Sequence, residues 1–235
     1  MLKIYGERNT GTNYVSQLLQ MNLDVQLLPG TAPRACQTEA DKDAFFAATY
    51  ADNLGWKHGT APDRSILDDP RYADVRFVTV TKNLYPWLIS FFRRPYHCPN
   101  ASRDFSEFIR SPVPSVERER IPAPLANPIL LWNAKCASYL RLPESRRLHA
   151  RYETVLGDPR QFVEMVAHRF GLGKSPIFFT NVTRSTKRVT QQFPDYQRFY
   201  LGEHWKRAFS PEDLAYVGEY LDIELMNQLG YTPLR

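Results

Sequence analysis

Near the start of the chain lies the stretch GERNTGTN, residues Gly6–Asn13. An apolar segment at about Leu2–Tyr5 precedes it and predicts a short buried strand. An amphipathic segment follows from about Gly11 to Met21 and predicts a helix whose inner face carries Val15, Leu18, Leu19 and Asn22. Two glycines separated by four residues, between a strand and a helix, have the spacing of a phosphate-binding loop. Backbone N–H groups and the positive end of the helix would hold a phosphate-like anion there; a plain turn that only starts the helix is the alternative.

Thr12 stands where a nucleoside triphosphatase carries a lysine, directly after the second glycine. That lysine contacts the β- and γ-phosphates, so its replacement disfavours ordinary ATP or GTP hydrolysis. The sequence also has no evident acidic residue for Mg²⁺ after a predicted strand. Both features weigh against a small-molecule kinase.

The rest of the chain alternates between strand and helix patterns. The clearest strand is Arg76–Lys82, which is β-branched and apolar enough to be buried on both faces. Shorter strands are predicted to end at Trp56–Lys57 and to cover about Leu148–Tyr152. Further helices are predicted at about Thr38–Tyr50, Pro86–Phe92, Ile129–Leu140, Pro159–Phe170 and Pro211–Leu229. This alternation predicts an α/β, three-layer P-loop NTPase-like fold, with a central mostly parallel sheet flanked by helices and residues 1–235 in a single domain.

One segment departs from this alternation. Residues Pro95–Pro128 hold seven of the 18 prolines. We therefore expect an irregular excursion with one short helix near Asp104–Ile109. A long irregular segment in a compact domain is typically a lid or a binding segment, which makes this excursion the candidate site for a second ligand.

Composition narrows the class of protein. The 235 residues are 43% hydrophobic and 23% charged, which supports a packed core and excludes wholesale disorder. A net charge of +5 favours an anionic ligand but is too small to indicate a nucleic-acid partner. The three cysteines are widely spaced, which argues against a disulfide scaffold or a zinc site. With no apolar run long enough to span a membrane and no secretory signal, we expect a soluble, cytoplasmic protein.

The segment Thr10-Gly11-Thr12-Asn13 resembles the Ser-Gly-Thr-Thr loop of the sulfotransferase superfamily, in particular its small bacterial-type members. In that family the loop holds the 5′-phosphosulfate end of 3′-phosphoadenosine 5′-phosphosulfate (PAPS). The family carries a lysine or arginine just before this loop, where the chain has Asn9. The resemblance therefore assigns the cationic role to Arg8, one residue earlier.

A second match lies at the end of the clearest strand. Val80–Ser90 is similar to the family's strand-to-helix element, in which a strand-end arginine and a serine eight positions later bind the 3′-phosphate. Lys82 and Ser90 occupy those two positions. A cation at the carboxyl end of a parallel strand also lies where α/β proteins bind their ligands. Without the resemblance, a solvated lysine and an ordinary helix serine would be the simpler interpretation.

A third match covers Gly202–Glu212, which is similar to the family segment that wraps the 3′-phosphate and the adenosine. Arg198 falls close to the first basic position of that segment, and Gly202 stands where the family often has two glycines. Trp205 is interpreted as core packing. Arg151-Tyr152-Glu153 resembles a family strand and is interpreted as structural.

The candidate general base is His58, in a segment similar to the family's Lys-Thr-His strand end. An imidazole titrates near neutrality and suits the removal of a proton from an attacking hydroxyl. Lys57 would assist by neutralising charge or would simply be solvated, and a structural role for His58 is the alternative. His97 is a competing histidine that could contact the acceptor. Arg93 and Arg94 are interpreted mainly as cations at a helix C-terminus, with contact to an anionic acceptor such as a sulfated or carboxylated glycan as the alternative.

The resemblance implies PAPS as donor, adenosine 3′,5′-bisphosphate (PAP) as product and no metal. It implies sulfuryl transfer to a hydroxyl or amine of a small-molecule or glycan acceptor, with a carbohydrate among the candidates. The predicted catalytic residues are His58, Arg8 and Lys57. The predicted donor-binding residues are Arg8, Asn9, Thr10, Gly11, Thr12, Asn13, Lys82, Ser90, Arg198 and Gly202. A catalytically inactive nucleotide-binding module is the main alternative.

Overall fold

A computed structural model describes residues 1–122, 124–174, 178–183 and 192–234. Its sheet has the strands β1 (Leu2–Tyr5), β2 (Arg76–Thr81) and β3 (Arg147–Arg151), which are parallel and in the order β1-β2-β3. In the register, Ile4 lies opposite Val78, which lies opposite Leu148 on the other side. The carboxyl ends of all three strands therefore meet at one edge of the sheet.

Helices fill the connections between the strands and the C-terminal part of the chain. In the described ranges they are α1 (Thr12–Asn22), α2 (Glu39–Ala48), α3 (Tyr50–Asn53), α4 (Arg64–Leu67), α5 (Leu84–Phe92), α6 (Phe105–Arg110), α7 (Pro128–Leu140), α8 (Tyr152–Gly157), α9 (Pro159–Phe170), α10 (Phe193–Leu201), α11 (Pro211–Tyr220) and α12 (Ile223–Gln228). Short 3₁₀ turns lie at Pro70–Tyr72, Glu117–Glu119, Glu144–Arg146 and His204–Ala208. Within the described part of the chain, every helix is too short or too polar to cross a membrane.

The sheet is covered on both faces because alternate strand residues point to opposite sides. On one face, Ile4 and Val80 belong to an apolar cluster with Leu18 of α1 and Phe162 of α9. On the other face, Tyr5 and Phe77 pack in a cluster with Tyr139 of α7. Helices therefore flank a central parallel sheet, which confirms the predicted fold class.

Three predicted elements differ in the structure. Trp56–Lys57 is a turn rather than a strand end, although Gly6 N–H still donates to the Lys57 carbonyl at 3.0 Å. The segment predicted as one helix over Pro211–Leu229 is two helices, because α11 ends at Tyr220 and the Asp222 side chain accepts from Leu225 N–H at 2.9 Å to begin α12. The helix predicted over Thr38–Tyr50 likewise ends early, at Ala48, and α3 begins at Tyr50.

The proline-rich excursion is largely irregular, as its composition predicts. Its short helix is α6, shifted by one residue from the prediction, and a 3₁₀ turn follows at Glu117–Glu119. Val113 and Leu125 form an antiparallel bridge that closes the segment between them into a loop. The carbonyl of Glu119 accepts from Thr60 N–H at 2.9 Å, so this loop lies against the turn that carries His58.

A histidine lies in the sheet next to two threonines of β2. Nδ1 of His149 is 3.1 Å from Thr79 Oγ1, and its Nε2 is 3.2 Å from Thr81 Oγ1. Burial, with help from Arg147 and Arg151, lowers the pKa of His149 to about 4. The imidazole is therefore neutral in the folded protein at neutral pH.

The unfolded chain binds a proton at this histidine below pH about 6.5, whereas the folded chain does so only near pH 4. Its contribution to stability is therefore complete above pH 6.5 and is lost as the pH falls towards 4. We expect His149→Gln to flatten the decrease in unfolding free energy between pH 7 and pH 4 by roughly 1–3 kcal/mol. Urea denaturation at a series of pH values measures this slope. The exposed His168 is the matched control, and a slope changed equally by His168→Gln would contradict the assignment.

Candidate functional site

The loop Gly6–Asn13 joins β1 to α1 at the carboxyl edge of the sheet, and its two glycines leave no room for a side chain. A Cβ at Gly6 would lie 2.6 Å from the Val80 carbonyl oxygen. A Cβ at Gly11 would lie 2.3 Å from the Tyr152 ring, and Gly11 has a φ of +90°, which side-chain-bearing residues rarely adopt. The loop backbone thus packs tightly between β2 and α8.

The same loop carries polar groups that suit an anion. Helix α1 begins after Gly11 without a side-chain cap and has no acidic residue in its first turn. Its first N–H groups and the positive end of its dipole therefore remain available to a negative group. In addition, the Asn9 Nδ2 group is buried and has no hydrogen-bond partner among the described residues. An anion with several acceptor oxygens would satisfy these donors.

A cavity of about 230 Å³ opens beside the loop, far larger than the about 10–15 Å³ that one water needs. Three of its described lining residues, Lys82, Arg93 and Arg94, are cationic, and one, Asp195, is acidic. The lining residues whose contacts or predicted roles matter for the site are Asn9, Gly11, Thr12, Asn13, His58, Lys82, Ser90, Tyr152 and Tyr200. In the described ranges, His, Cys, Asp and Glu side chains do not gather in threes that could hold a metal ion.

Lys82 and Ser90, predicted as a pair, meet at the Tyr200 hydroxyl. The Lys82 ammonium donates to this hydroxyl at 2.9 Å, and Ser90 Oγ lies 3.0 Å from it. Ser90 donates its own proton to the Pro86 carbonyl at 2.8 Å, so Tyr200 donates to Ser90. The result is a directed chain of hydrogen bonds that begins at a cation.

The surroundings of Lys82 hold it in place. Its ammonium lies 4.3 Å from the ring centre of Tyr152 and 4.1 Å from that of Tyr200, and both contacts favour a cation. The indole N–H of Trp132 donates to the Lys82 carbonyl at 3.0 Å. Burial alone would raise the pKa of Tyr200, but the Lys82 charge and the hydrogen bonds with Lys82 and Ser90 lower it below the usual value. This corner of the cavity is built to balance negative charge.

His58 lines the cavity on the loop side. Its Nδ1 lies 2.6 Å from the Gly6 carbonyl oxygen, and because a carbonyl only accepts, Nδ1 carries the proton. Burial and the nearby Lys57 lower the pKa of His58 well below its usual value. The imidazole is therefore neutral, with Nε2 left as a proton acceptor.

Lys57 lies behind the loop rather than on the cavity surface. Its side chain is buried, and its ammonium donates to Asn13 Oδ1. Asn13 itself lines the cavity. The Lys57 charge thus reaches the cavity through one amide side chain.

Arg8, predicted to contact the donor, does not line the cavity. Its side chain is only 3% exposed, and its guanidinium pairs with Glu7 at 2.8 Å and Glu119 at 3.0 Å. It also donates to the Tyr96 carbonyl at 3.2 Å, while the Trp87 indole donates to the Arg8 carbonyl at 2.8 Å. These partners hold Arg8 beneath the loop, and Asn9, with a φ of 67°, lines the cavity instead.

Arg198 and Gly202 are likewise not among the residues that line the cavity. Both are exposed, Arg198 within α10 and Gly202 directly after it. Arg198 lies on the exposed side of helix α10, which turns Tyr200 inward instead, and Gly202 begins the turn that leads into the 3₁₀ turn His204–Ala208. Trp205 is buried, in agreement with its interpretation as a core residue.

Tyr200 and Tyr152 are two of the cavity residues to which the sequence prediction gives no binding role. Tyr200 belongs to an aromatic stripe on α10 with Tyr196, and such a stripe at helical spacing is indistinguishable from core packing. Tyr152 follows β3, and the sequence favours a structural role for it, yet its ring contacts Gly11 and borders the cavity. Only the tertiary packing of α8 and α10 against the loop shows where these rings lie.

The parallel sheet, with the glycine loop and the cavity at its carboxyl edge, has the same fold as solved sulfotransferases. Mouse sulfotransferase SULT7A1, solved in complex with PAP, matches with a TM-score of 0.52 at 12% identity, over 97% of this chain and 84% of that chain. The sulfotransferase domain from the curacin biosynthetic pathway has a TM-score of 0.49 at 12% identity, over 100% of this chain and 98% of that chain. The sulfotransferase domain from the Synechococcus PCC 7002 olefin synthase has a TM-score of 0.49 at 14% identity, over 98% of this chain and 94% of that chain.

Of these three, only the mouse enzyme has a TM-score above 0.5, and at 12% identity the match shows a shared fold and nothing finer. No protein-family model and no curated protein matches the sequence. The resemblance deduced from the loop and the strand-end motif is thus confirmed at the level of the fold.

The packing at Gly11 leads to a test by substitution. Gly11→Ala places a Cβ against the Tyr152 ring in a strained backbone conformation, so we expect a loss of about 1–3 kcal/mol in the free energy of unfolding. Gly218 in α11 has open space around it, and Gly218→Ala should stabilise the protein by about 0.4–1 kcal/mol. Chemical denaturation of both variants gives the comparison. Equal effects at the two positions would mean that the loop does not pack as described.

Proposed function

We propose that this protein is a sulfotransferase that moves a sulfuryl group from PAPS to a hydroxyl or amine of a small-molecule or glycan acceptor. One observation carries the proposal: a neutral histidine and a cation–hydroxyl pair border the same cavity as the glycine loop. The structural neighbour SULT7A1, which was solved with PAP, supports this assignment of the ligand.

The chain offers two sites for the phosphates of such a donor. The loop N–H groups, with Asn9 Nδ2, suit the phosphosulfate end. Lys82, Ser90 and Tyr200 suit the 3′-phosphate, because a cation and two hydroxyls converge there. No metal is needed in this scheme, since the N–H groups and Lys82 supply the balancing charge.

His58 is the proposed general base. When PAPS is bound, it supplies a sulfuryl group whose bond to the phosphate oxygen breaks as the acceptor oxygen or nitrogen bonds to sulfur. Nε2 of His58 takes the proton of the acceptor, while Nδ1 keeps its hydrogen bond to the Gly6 carbonyl. Because the pKa of His58 is lowered, the base is ready without prior deprotonation at neutral pH.

Lys57 and the N-terminus of helix α1 stabilise the negative charge that develops on the departing phosphate. Lys57 acts through Asn13, which accepts a hydrogen bond from its ammonium and lines the cavity. Arg8 takes no part in this step, because its guanidinium is committed to Glu7 and Glu119. Positioning and charge stabilisation of this kind dominate the catalysis of the related phosphoryl transfers.

A nucleotide-binding module without transferase activity is the second candidate. It is favoured by the placement of Arg8, because this cation of the loop lies in an ion cluster and not at the cavity. Transfer of radiolabelled sulfuryl from PAPS to a panel of glycans, phenols and amines separates the two candidates. Binding of PAP without transfer to any acceptor would favour the module, and preferential binding of ATP with Mg²⁺ would favour a kinase.

Variants at the proposed 3′-phosphate site test its contacts by calorimetry with PAP. We expect Lys82→Ala to weaken PAP binding by at least about tenfold, because a charge-assisted contact is lost. Tyr200→Phe should weaken it by about threefold to tenfold. The control is Arg198→Ala, which lies outside the cavity and should bind PAP as the wild type does. Unchanged or tighter binding by Tyr200→Phe would mean that this hydroxyl only fills the place of the ligand.

The base has its own test in steady-state kinetics. His58→Ala should lower kcat by about 10²–10⁴-fold, because proton removal from the acceptor is lost, while the affinity for PAP stays within about twofold. His168→Ala, at an exposed position on α9, is the control and should leave both values unchanged. Full activity of His58→Ala would place the base elsewhere.

A further inference from the structure

Four charged side chains form a buried cluster beneath the glycine loop. They are Glu7 and Arg8 of the loop, Glu119 of the proline-rich excursion and Lys135 of α7, with exposures between 0% and 3%. Arg8 pairs with both carboxylates, and Lys135 Nζ lies 3.0 Å from Glu119 Oε2 and 3.4 Å from Glu7 Oε2. Two acids and two bases leave the cluster without net charge.

Stability alone does not account for such a cluster. Removing four charges from water is costly, and apolar residues of similar volume stabilise a core equally well or better. The cluster is also far from a simple pair, since it joins three segments that are distant in sequence. What it does achieve is a fixed arrangement of those segments around one point.

That point is the backbone of His58. The Lys135 ammonium, besides its two carboxylate partners, donates a hydrogen bond to the His58 carbonyl oxygen. The other end of the residue is held as well, because His58 Nδ1 donates to the Gly6 carbonyl, and Glu7 is the next residue in the chain. Both restraints on the imidazole therefore lead back to the same cluster.

Lys135 itself is fully buried and is not among the residues that line the cavity. Its ammonium has three N–H donors, and the His58 carbonyl, Glu119 and Glu7 are three acceptors within reach. The ammonium thus lies between one carbonyl acceptor and two carboxylates, and these contacts hold it in place. Glu119 is in turn fixed by its backbone, whose carbonyl accepts from Thr60 N–H two residues after His58.

We infer that Lys135, anchored by Glu119, is a positioning residue that sets the orientation and tautomer of His58. The inference rests on the proposed role of His58 as the general base. Lys135 touches neither donor nor acceptor; it fixes the turn from which the imidazole projects. The excursion thereby takes part in placing the base, since Glu119 comes from it.

A charge-balanced double variant, Lys135→Met/Glu119→Gln, removes the ammonium while Glu7 and Arg8 remain as a pair. We expect kcat to fall by at least about tenfold, with the dissociation constant of PAP within about twofold of wild type. Nitrogen NMR of the His58 ring should change from protonation at Nδ1 alone to a mixture of both tautomers. The exposed pair Lys174 and Glu164, 3.6 Å apart, gives the matched control Lys174→Met/Glu164→Gln, which should change none of these.

An unchanged kcat and a single tautomer in the folded double variant would overturn the inference. A loss of PAP affinity as large as the loss of kcat would do so too, because the effect would then belong to the loop. If the double variant does not fold, the isosteric Glu119→Gln decides: we expect kcat about threefold lower with PAP binding kept, and a wild-type kcat contradicts the inference. If wild-type protein transfers no sulfuryl group, the proposed function fails, whereas the tautomer measurement still tests the positioning by Lys135.

Discussion

The close approach of the loop Gly6–Asn13 to its neighbours is the constraint on which the rest of the structure depends. A Cβ at either glycine would collide, with the β2 backbone in one case and the Tyr152 ring in the other. The first residues of α1 line the cavity, and the helix begins there without a side-chain cap. The same packing brings the end of β2, and with it Lys82, to the edge of the loop.

Polar groups buried around this loop have different kinds of partners on its two sides. On the cavity side, Asn9 Nδ2 has no hydrogen-bond partner among the described residues, and Lys82 is balanced by a phenol and aromatic rings. Beneath the loop, by contrast, the Arg8 guanidinium is paired with the carboxylates of Glu7 and Glu119. Arg8 and Asn9 are adjacent in the chain, so the environment changes within one residue. The cavity side, where a buried amide donor and a cation held by a hydroxyl and two rings lie, suits an anionic ligand, whereas the ion-paired side holds the framework.

The sequence predicts those features that depend on residues close together in the chain. Strand β1, the glycine loop and helix α1 follow from periodicity and fixed spacing, whereas the pair Lys82 and Ser90 follows from the resemblance to the sulfotransferase strand-to-helix element. The structure has all of them close together. The placement of Arg8 could not be predicted, because it depends on Glu119, which is distant in sequence and reaches the loop only through tertiary folding. Tyr200 was missed for the same reason. Its helical aromatic pattern is identical whether it faces a core or a cavity.

The proposed function requires the cavity to recognise an adenine nucleotide by phosphates on both the 3′ and the 5′ oxygens of the ribose. The most direct measurement is calorimetric titration of the wild-type protein with PAP and, in parallel, with adenosine 5′-monophosphate, which lacks the 3′-phosphate. The account predicts that PAP binds at least about tenfold more tightly, because only PAP reaches Lys82 and Ser90. Equal affinity for the two nucleotides, or no binding of either, would contradict it.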